Sequence, residues 1–209
     1  MSIYRFKLLP ILFGLLLSAC NSSPPIITTP AVSIESTVDL ANELLGRARL
    51  SSGLISVELS LQAIDLLLEQ GDLSRAETAV IAVVNSINTT STLNNLLPTQ
   101  LKLLLVLSGA HIALENGEAE NARQWLTESL VEQSDIDNNI SREILQSYYA
   151  SLGQAYEMLS QFDSAARTYI ESTSRSRDRP TSEITNKIWD ALTKLNNEDL
   201  DTFANDANS

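Results

Sequence analysis

Few side chains in this sequence could serve as nucleophiles or metal ligands. There is one cysteine, Cys20, and one histidine, His111. A zinc or transition-metal site built from His and Cys is therefore excluded in practice. A Ser-His-Asp triad would have to use His111, and no Gly-x-Ser-x-Gly elbow is present. The glycine motifs that cradle phosphates are absent as well. Carboxylates are plentiful, but no recognisable pair stands out, so two-carboxylate hydrolysis has raw material and no visible site. His111 follows Gly109-Ala110 and has no acid partner visible in the sequence, so it is assigned no chemistry. No cofactor and no metal is expected, and the chain reads as a non-enzyme.

The cysteine is the informative residue. It ends the run Leu17-Ser18-Ala19-Cys20, an aliphatic residue and two small ones before a thiol. That is the bacterial lipobox: small residues admit the peptidase, the thiol takes a diacylglycerol, and Cys20 becomes the new N-terminus. Lipidation also removes Cys20 from any disulfide or Cys–His pair. The residues upstream fit. Arg5 and Lys7 give a positive start, and Leu8 to Ala19 form an apolar stretch too short to span a bilayer, which needs roughly 20 residues. Asn21 stands where aspartate would signal inner-membrane retention, which points to the outer membrane with the protein on its periplasmic face.

Four segments follow from this. Residues 1–19 are a lipoprotein signal peptide. Residues 20–35 are the lipidated cysteine and a Pro/Ser/Thr-rich tether, with Pro24, Pro25 and Pro30 keeping it extended. Residues 36–204 are a helical domain, and the Asn/Asp-rich residues 205–209 are a disordered tail. Removing residues 1–19 takes Arg5 and Lys7 with it, leaving 12 basic against 26 acidic residues and a net charge of −14. Such a surface repels nucleic acid and anionic lipid headgroups, and no nucleic-acid partner is expected. The lipid is the membrane contact.

The fold class is all-α. From Ser36 on, Leu, Ala, Glu and Gln dominate and apolar residues recur three and four apart. Leu59, Ala63, Leu66 and Leu67 share one face, as do Ala76, Val80, Val83 and Val84. Breaks fall at 51–53, 70–72, 88–98, 116–118, 134–139, 160–162, 176–180 and 195–197. Pro98 suits a first helical turn, and Asp72 and Thr181 suit N-caps. The segments between breaks pair into hairpins, and the hairpins look alike. Leu68-Glu69-Gln70-Gly71-Asp72, then Ala76, returns 46 residues later as Leu114-Glu115-Asn116-Gly117-Glu118, then Ala122. A third unit, about 43 residues on, places Leu159-Ser160-Gln161-Phe162-Asp163 before Ala165.

This repetition resembles the tetratricopeptide repeat family. The third unit is clearest: Gly153, Tyr156, Ala165 and Tyr169, with Tyr149 and Leu152 before them. Ile64 and Ala110 take the place of Gly153 in the first two units. The spacing departs from the family's 34 residues, and the resemblance covers about residues 55–176. It implies a tetratricopeptide-like helical hairpin array, an α-solenoid, whose first helices line a groove. By that alignment Glu58, Asp65 and Glu69 belong there from the first unit, His111 and Glu115 from the second, and Gln154 and Glu157 from the third. An acidic groove suits a basic or amide-rich partner segment. Trp125, Tyr148, Tyr149 and Tyr156 have the helical spacing of packing residues.

The last segment, Asn186-Lys187-Ile188-Trp189-Asp190-Ala191-Leu192, follows degenerate helical repeats in a lipobox chain. This arrangement resembles the N-terminal part of the penicillin-binding protein activator family. The resemblance implies an outer-membrane regulator or scaffold of peptidoglycan synthesis, with a protein partner in the cell envelope, namely a bifunctional penicillin-binding protein. The family's larger second domain would begin about where this sequence stops, which puts direct activation in doubt and leaves scaffolding open. The alternative is an envelope assembly lipoprotein that serves outer-membrane protein insertion or pilus or secretin assembly.

Overall fold

A computed structural model describes residues 34–128, 130–131, 140–174 and 182–206. The signal peptide, nearly all of the tether, the breaks at 134–139 and 176–180, and Thr181 lie outside the described residues. Among the described residues the chain is all-helical, with no strand. The helices are α1 (Ile34–Leu50), α2 (Gly53–Glu69), α3 (Leu73–Thr89), α4 (Ser91–Leu96), α5 (Thr99–Glu115), α6 (Ala119–Glu128), α7 (Arg142–Met158), α8 (Phe162–Ser174), α9 (Ser182–Leu192) and α10 (Asn197–Asp206).

The repeat is written in backbone hydrogen bonds. At the α2–α3 turn, Gly71 N–H donates to the Leu68 carbonyl at 3.0 Å and Asp72 N–H reaches back to Leu67 at 2.9 Å. The same pair recurs after α5, from Gly117 to Leu114 and from Glu118 to Ala113, and again after α7, from Ser160 to Glu157 and from Gln161 to Tyr156. These are Schellman closures, which satisfy the last carbonyls of a helix and require a left-handed residue. Gly71 and Gly117 supply it at φ 75° and 77°, and Ser160 does so at 59°. Asp72 then caps α3, its carboxylate accepting from the Arg75 N–H at 3.2 Å.

Consecutive helices pack on each other, α1 on α2, α2 on α3, α5 on α6, α7 on α8 and α8 on α9. First helices also meet, since α5 packs on both α2 and α7. The core runs from Ile64, Leu67, Val80 and Ile87 in the first hairpin, through Leu103, Val106 and Tyr148, to Ala165, Tyr169 and Ala191. Trp125 touches three of the four buried clusters and joins the first hairpin to the next two. Tyr148 and Tyr149 are buried, ring edge to ring face at 5.2 Å, and the Tyr148 hydroxyl donates to the Leu126 carbonyl at 2.8 Å. The aromatics thus pack as their spacing indicates.

Several boundaries differ from the sequence reading. The 88–98 break holds a helix of its own, α4, which buries Leu93 and delivers Leu97 to the core. Pro98 sits one residue before α5 and caps it: its carbonyl accepts from Leu101 and Lys102. In the third unit Ser160, within the break expected at 160–162, takes the left-handed place, and Phe162 and Asp163 open α8. Ala110 is buried and lies seven residues before Gly117, as Gly153 does before Ser160, but the close ring contact falls on Gly109 beside it: a Cβ on Gly109 would lie 2.6 Å from the Trp125 ring. Gly153 has the same relation to Tyr169, sixteen residues on. The helical domain starts at Ile34, and α10 carries on through Asn205 and Asp206, residues expected to be disordered. Trp189 is 62% exposed, while Ile184, Ile188 and Leu192 pack against the buried Ala191 and Tyr169.

Candidate functional site

The shared turn bonds fix the register of the predicted groove residues. Asp65, His111 and Gln154 occupy equivalent positions in α2, α5 and α7, each six residues before its left-handed residue. Glu69 and Glu115 lie one turn further on, and Glu58 two turns before Asp65. Glu58, Glu69, Glu115 and Gln154 are exposed, and Asp65 and His111 half-buried. Glu157 parts company. It accepts a hydrogen bond from the Tyr169 hydroxyl at 3.0 Å and lies 3.9 Å from the Lys194 ammonium, so it ties α7 to α8 and to the end of α9. Burial, together with the Glu157 charge it bonds, pushes the Tyr169 hydroxyl up, so it stays a donor. Four of the seven residues are therefore exposed on the first helices, Asp65 and His111 are partly covered, and Glu157 is structural.

Asp65 is the unusual member. Burial, with the charge of Glu69 adding to it, lifts its carboxyl from 3.8 to about 6. It makes no hydrogen bond or ion pair among the described residues. A raised carboxyl on its own can exchange a proton, and the acid beside it is Glu69, one turn on. Among the described residues no cluster of three or more His, Cys, Asp or Glu side chains could hold a metal ion.

A separate concavity lies elsewhere. It is a groove of about 600 Å³ flanked by α3 and α6, with α5 as its floor. Val80, Ile81, Val84, Ile112 and Trp125 supply apolar lining, and Ile81 is 46% exposed. Glu77, Glu118 and Glu128 line it too, with Asn88, Asn121 and Gln124, and no Lys or Arg. Glu118 accepts from the Asn121 amide at 2.8 Å, and Arg123 pairs with Glu120 at 2.7 Å and Glu128 at 3.1 Å. The Arg123 guanidinium holds the Glu120 carboxyl below its usual range, so that carboxylate stays charged.

The chain matches no family model, no curated protein and no solved structure. Its own geometry therefore carries the functional argument. None of the seven predicted residues lines the groove: its sides are the second helices α3 and α6, and the first helix α5 turns Gly109, Ile112 and Ala113 to it, not His111 or Glu115. A signal was present in α3, where Val80, Ile81 and Val84 give a wider apolar face than packing on α2 alone requires. The other half of the signal was Gly109, whose missing side chain lets the Trp125 ring lie against α5.

Proposed function

We propose that this chain is a lipid-anchored, non-enzymatic docking module of the bacterial cell envelope. In this reading its hairpins form a tetratricopeptide-like array, held by Cys20 to the outer membrane on the periplasmic side. The three identical Schellman closures and the contacts between first helices support the array. The observation that carries the docking role is the α3–α5–α6 groove, apolar at its floor and acidic along its sides. A groove of that chemistry suits an amphipathic helix with Leu or Ile on one face and Lys or Arg beside it. The apolar anchors would supply most of the affinity and the carboxylates the specificity and rate of encounter. The partner proposed is a peptidoglycan synthase of the bifunctional penicillin-binding type, on the strength of the lipobox and the Asn186–Leu192 segment.

The test is photocrosslinking in solubilised envelope, with a photoreactive residue replacing Ile81 and, separately, Leu40 on α1. The Ile81 probe should capture one envelope protein that the Leu40 probe does not. Glu77→Lys with Glu118→Lys should abolish that capture while leaving the thermal melt unchanged, since neither carboxylate holds two helices together. Identical crosslinks from both probes, or capture that survives charge reversal, would refute the groove reading. Mass spectrometry of the purified protein, finding diacylglycerol on Cys20 or a bare thiol, decides the anchor independently.

A further inference from the structure

The two ends of the first two hairpins differ in charge. At the tight turns lie Glu69, Asp72, Glu115, Glu118 and Glu120. At the opposite end α1 finishes, α2 begins, α3 finishes, α4 lies, α5 begins and α6 finishes, the last on Glu128, which Arg123 pairs. No acidic residue occurs between Glu43 and Glu58, a span that carries Arg47 and Arg49. None occurs between Glu77 and Glu115 either, and that span contains Lys102. In a chain of net charge −12, these two acid-free spans both carry cations, and both reach this end.

That end also displays apolar side chains. Leu50 is 91% exposed, Leu96 77% and Ile55 60%, with Leu54 beside them. The corner that presents Leu50 is a built turn. The Ser56 hydroxyl donates to the Ala48 carbonyl at 2.8 Å, the Ser51 hydroxyl to Arg47 at 2.9 Å, and Gly53 turns the chain at φ 63°. Arg47 leans on Glu43 at 3.8 Å, and Arg49 and Lys102 make no hydrogen bond or ion pair among the described residues.

We propose that this end of the bundle, around Arg49, Leu50, Leu54, Ile55 and Leu96, rests on a phospholipid surface containing anionic headgroups. Apolar tips flanked by unpaired cations are what an interface of acyl chain and phosphate takes up. The overall negative charge does not prevent it. A 17-residue helix is about 25 Å long, so the acidic turns stand roughly three screening lengths away at physiological salt. The inference gains from the reading of Cys20 as the lipid site. Thirteen residues separate Cys20 from Ile34, a covalent reach of at most ~45 Å, enough for this end to meet the anchoring leaflet.

The experiment uses residues 20–209 with Cys20→Ser, so that no acyl chain contributes; every described helix is retained. It is sedimented with vesicles of phosphatidylcholine containing 30% phosphatidylglycerol and with pure phosphatidylcholine vesicles. Binding should appear with the anionic vesicles and be about tenfold weaker with the neutral ones. Leu50→Ser with Ile55→Ser, and separately Arg49→Glu, should each weaken it about tenfold, with unchanged melting temperature because these side chains are exposed. Trp189→Ser, which alters an exposed apolar residue at another place, should bind as the parent does. No binding to anionic vesicles, or equal binding by the Leu50/Ile55 variant, overturns the proposal. So does a dimer in vesicle-free solution that the same variant dissociates, since a second copy would then cover these residues. Failure here leaves acylation of Cys20 untouched, because that is read on the native protein by mass.

Discussion

Replacing Asp65 by Asn should stabilise this protein at neutral and alkaline pH and do little in acid. The carboxyl titrates at about 6 in the folded chain, chiefly because α2 is covered there, and at about 4 when the chain is unfolded. Its folded pKa is raised, so between pH 4 and 6 the folded state binds the proton that the unfolded state has lost. Stability from this group is complete below about pH 4 and is lost as pH rises through 6. An ionised carboxyl so displaced would cost about 3 kcal/mol if fully shielded from water. Asp65 is half-buried, so solvent reduces the cost to about 1–2 kcal/mol. Asparagine copies the size and the neutral form without the charge. At pH 8 the melting temperature followed by circular dichroism at 222 nm should rise by about 3–6 °C. At pH 4 the two proteins should melt within about 1 °C of each other, since both are then neutral at this position. A lower melting temperature for Asp65→Asn at pH 8, or the same rise at both pH values, would show that the carboxylate is held by favourable contacts and that the burial argument is wrong.

Two helical glycines should respond in opposite directions to alanine. Gly153→Ala drives a methyl into the buried Tyr169 ring and should cost about 1–3 kcal/mol in urea unfolding; Gly46→Ala meets nothing within 4 Å and should gain about 0.5–1 kcal/mol. Ser160→Gly should stabilise by about 1 kcal/mol, because Ser160 alone among the three equivalent turn residues carries a Cβ into the left-handed region. Ala76→Leu should destabilise by about 1–3 kcal/mol, as Ala76 is fully enclosed between helices; an unchanged midpoint would contradict the hairpin packing.

The hairpins were legible because their turns are spelled in local chemistry. Gly71-Asp72 and Gly117-Glu118 announce a left-handed stop followed by an acidic start, and the structure closes both with the same bonds. The third turn falls in the break expected at 160–162, but a serine occupies its left-handed place, a choice with no compositional signature. α4 was hidden in a Ser/Thr/Asn-rich stretch, where only Leu93 and Leu97, four apart, hint at a buried face. Ala110 holds the repeat register, as its spacing indicates, while Gly109 beside it takes the close contact with the Trp125 ring. Which of two adjacent small residues faces the neighbouring helix depends on where the Trp125 ring lies, a tertiary fact. Trp189 looked like a core residue by type, yet Ile184, Ile188 and Leu192 already cover the inner side of α9. The groove was only hinted at, by Val80, Ile81 and Val84, for a simpler reason: it is the space left between α3 and α6, and a sequence lists atoms, not gaps.

The two tryptophans, one wedged among three core clusters and the other largely in water, make the chain its own optical reporter. Trp125, half-buried beside the groove, should emit to the blue of Trp189 and be quenched less by iodide than Trp189 is. A Trp189→Phe protein would report only the junction of the hairpins, and a Trp125→Phe protein only the far C-terminal helices. Melting the pair side by side would reveal whether the stack frays from one end or gives way as a unit.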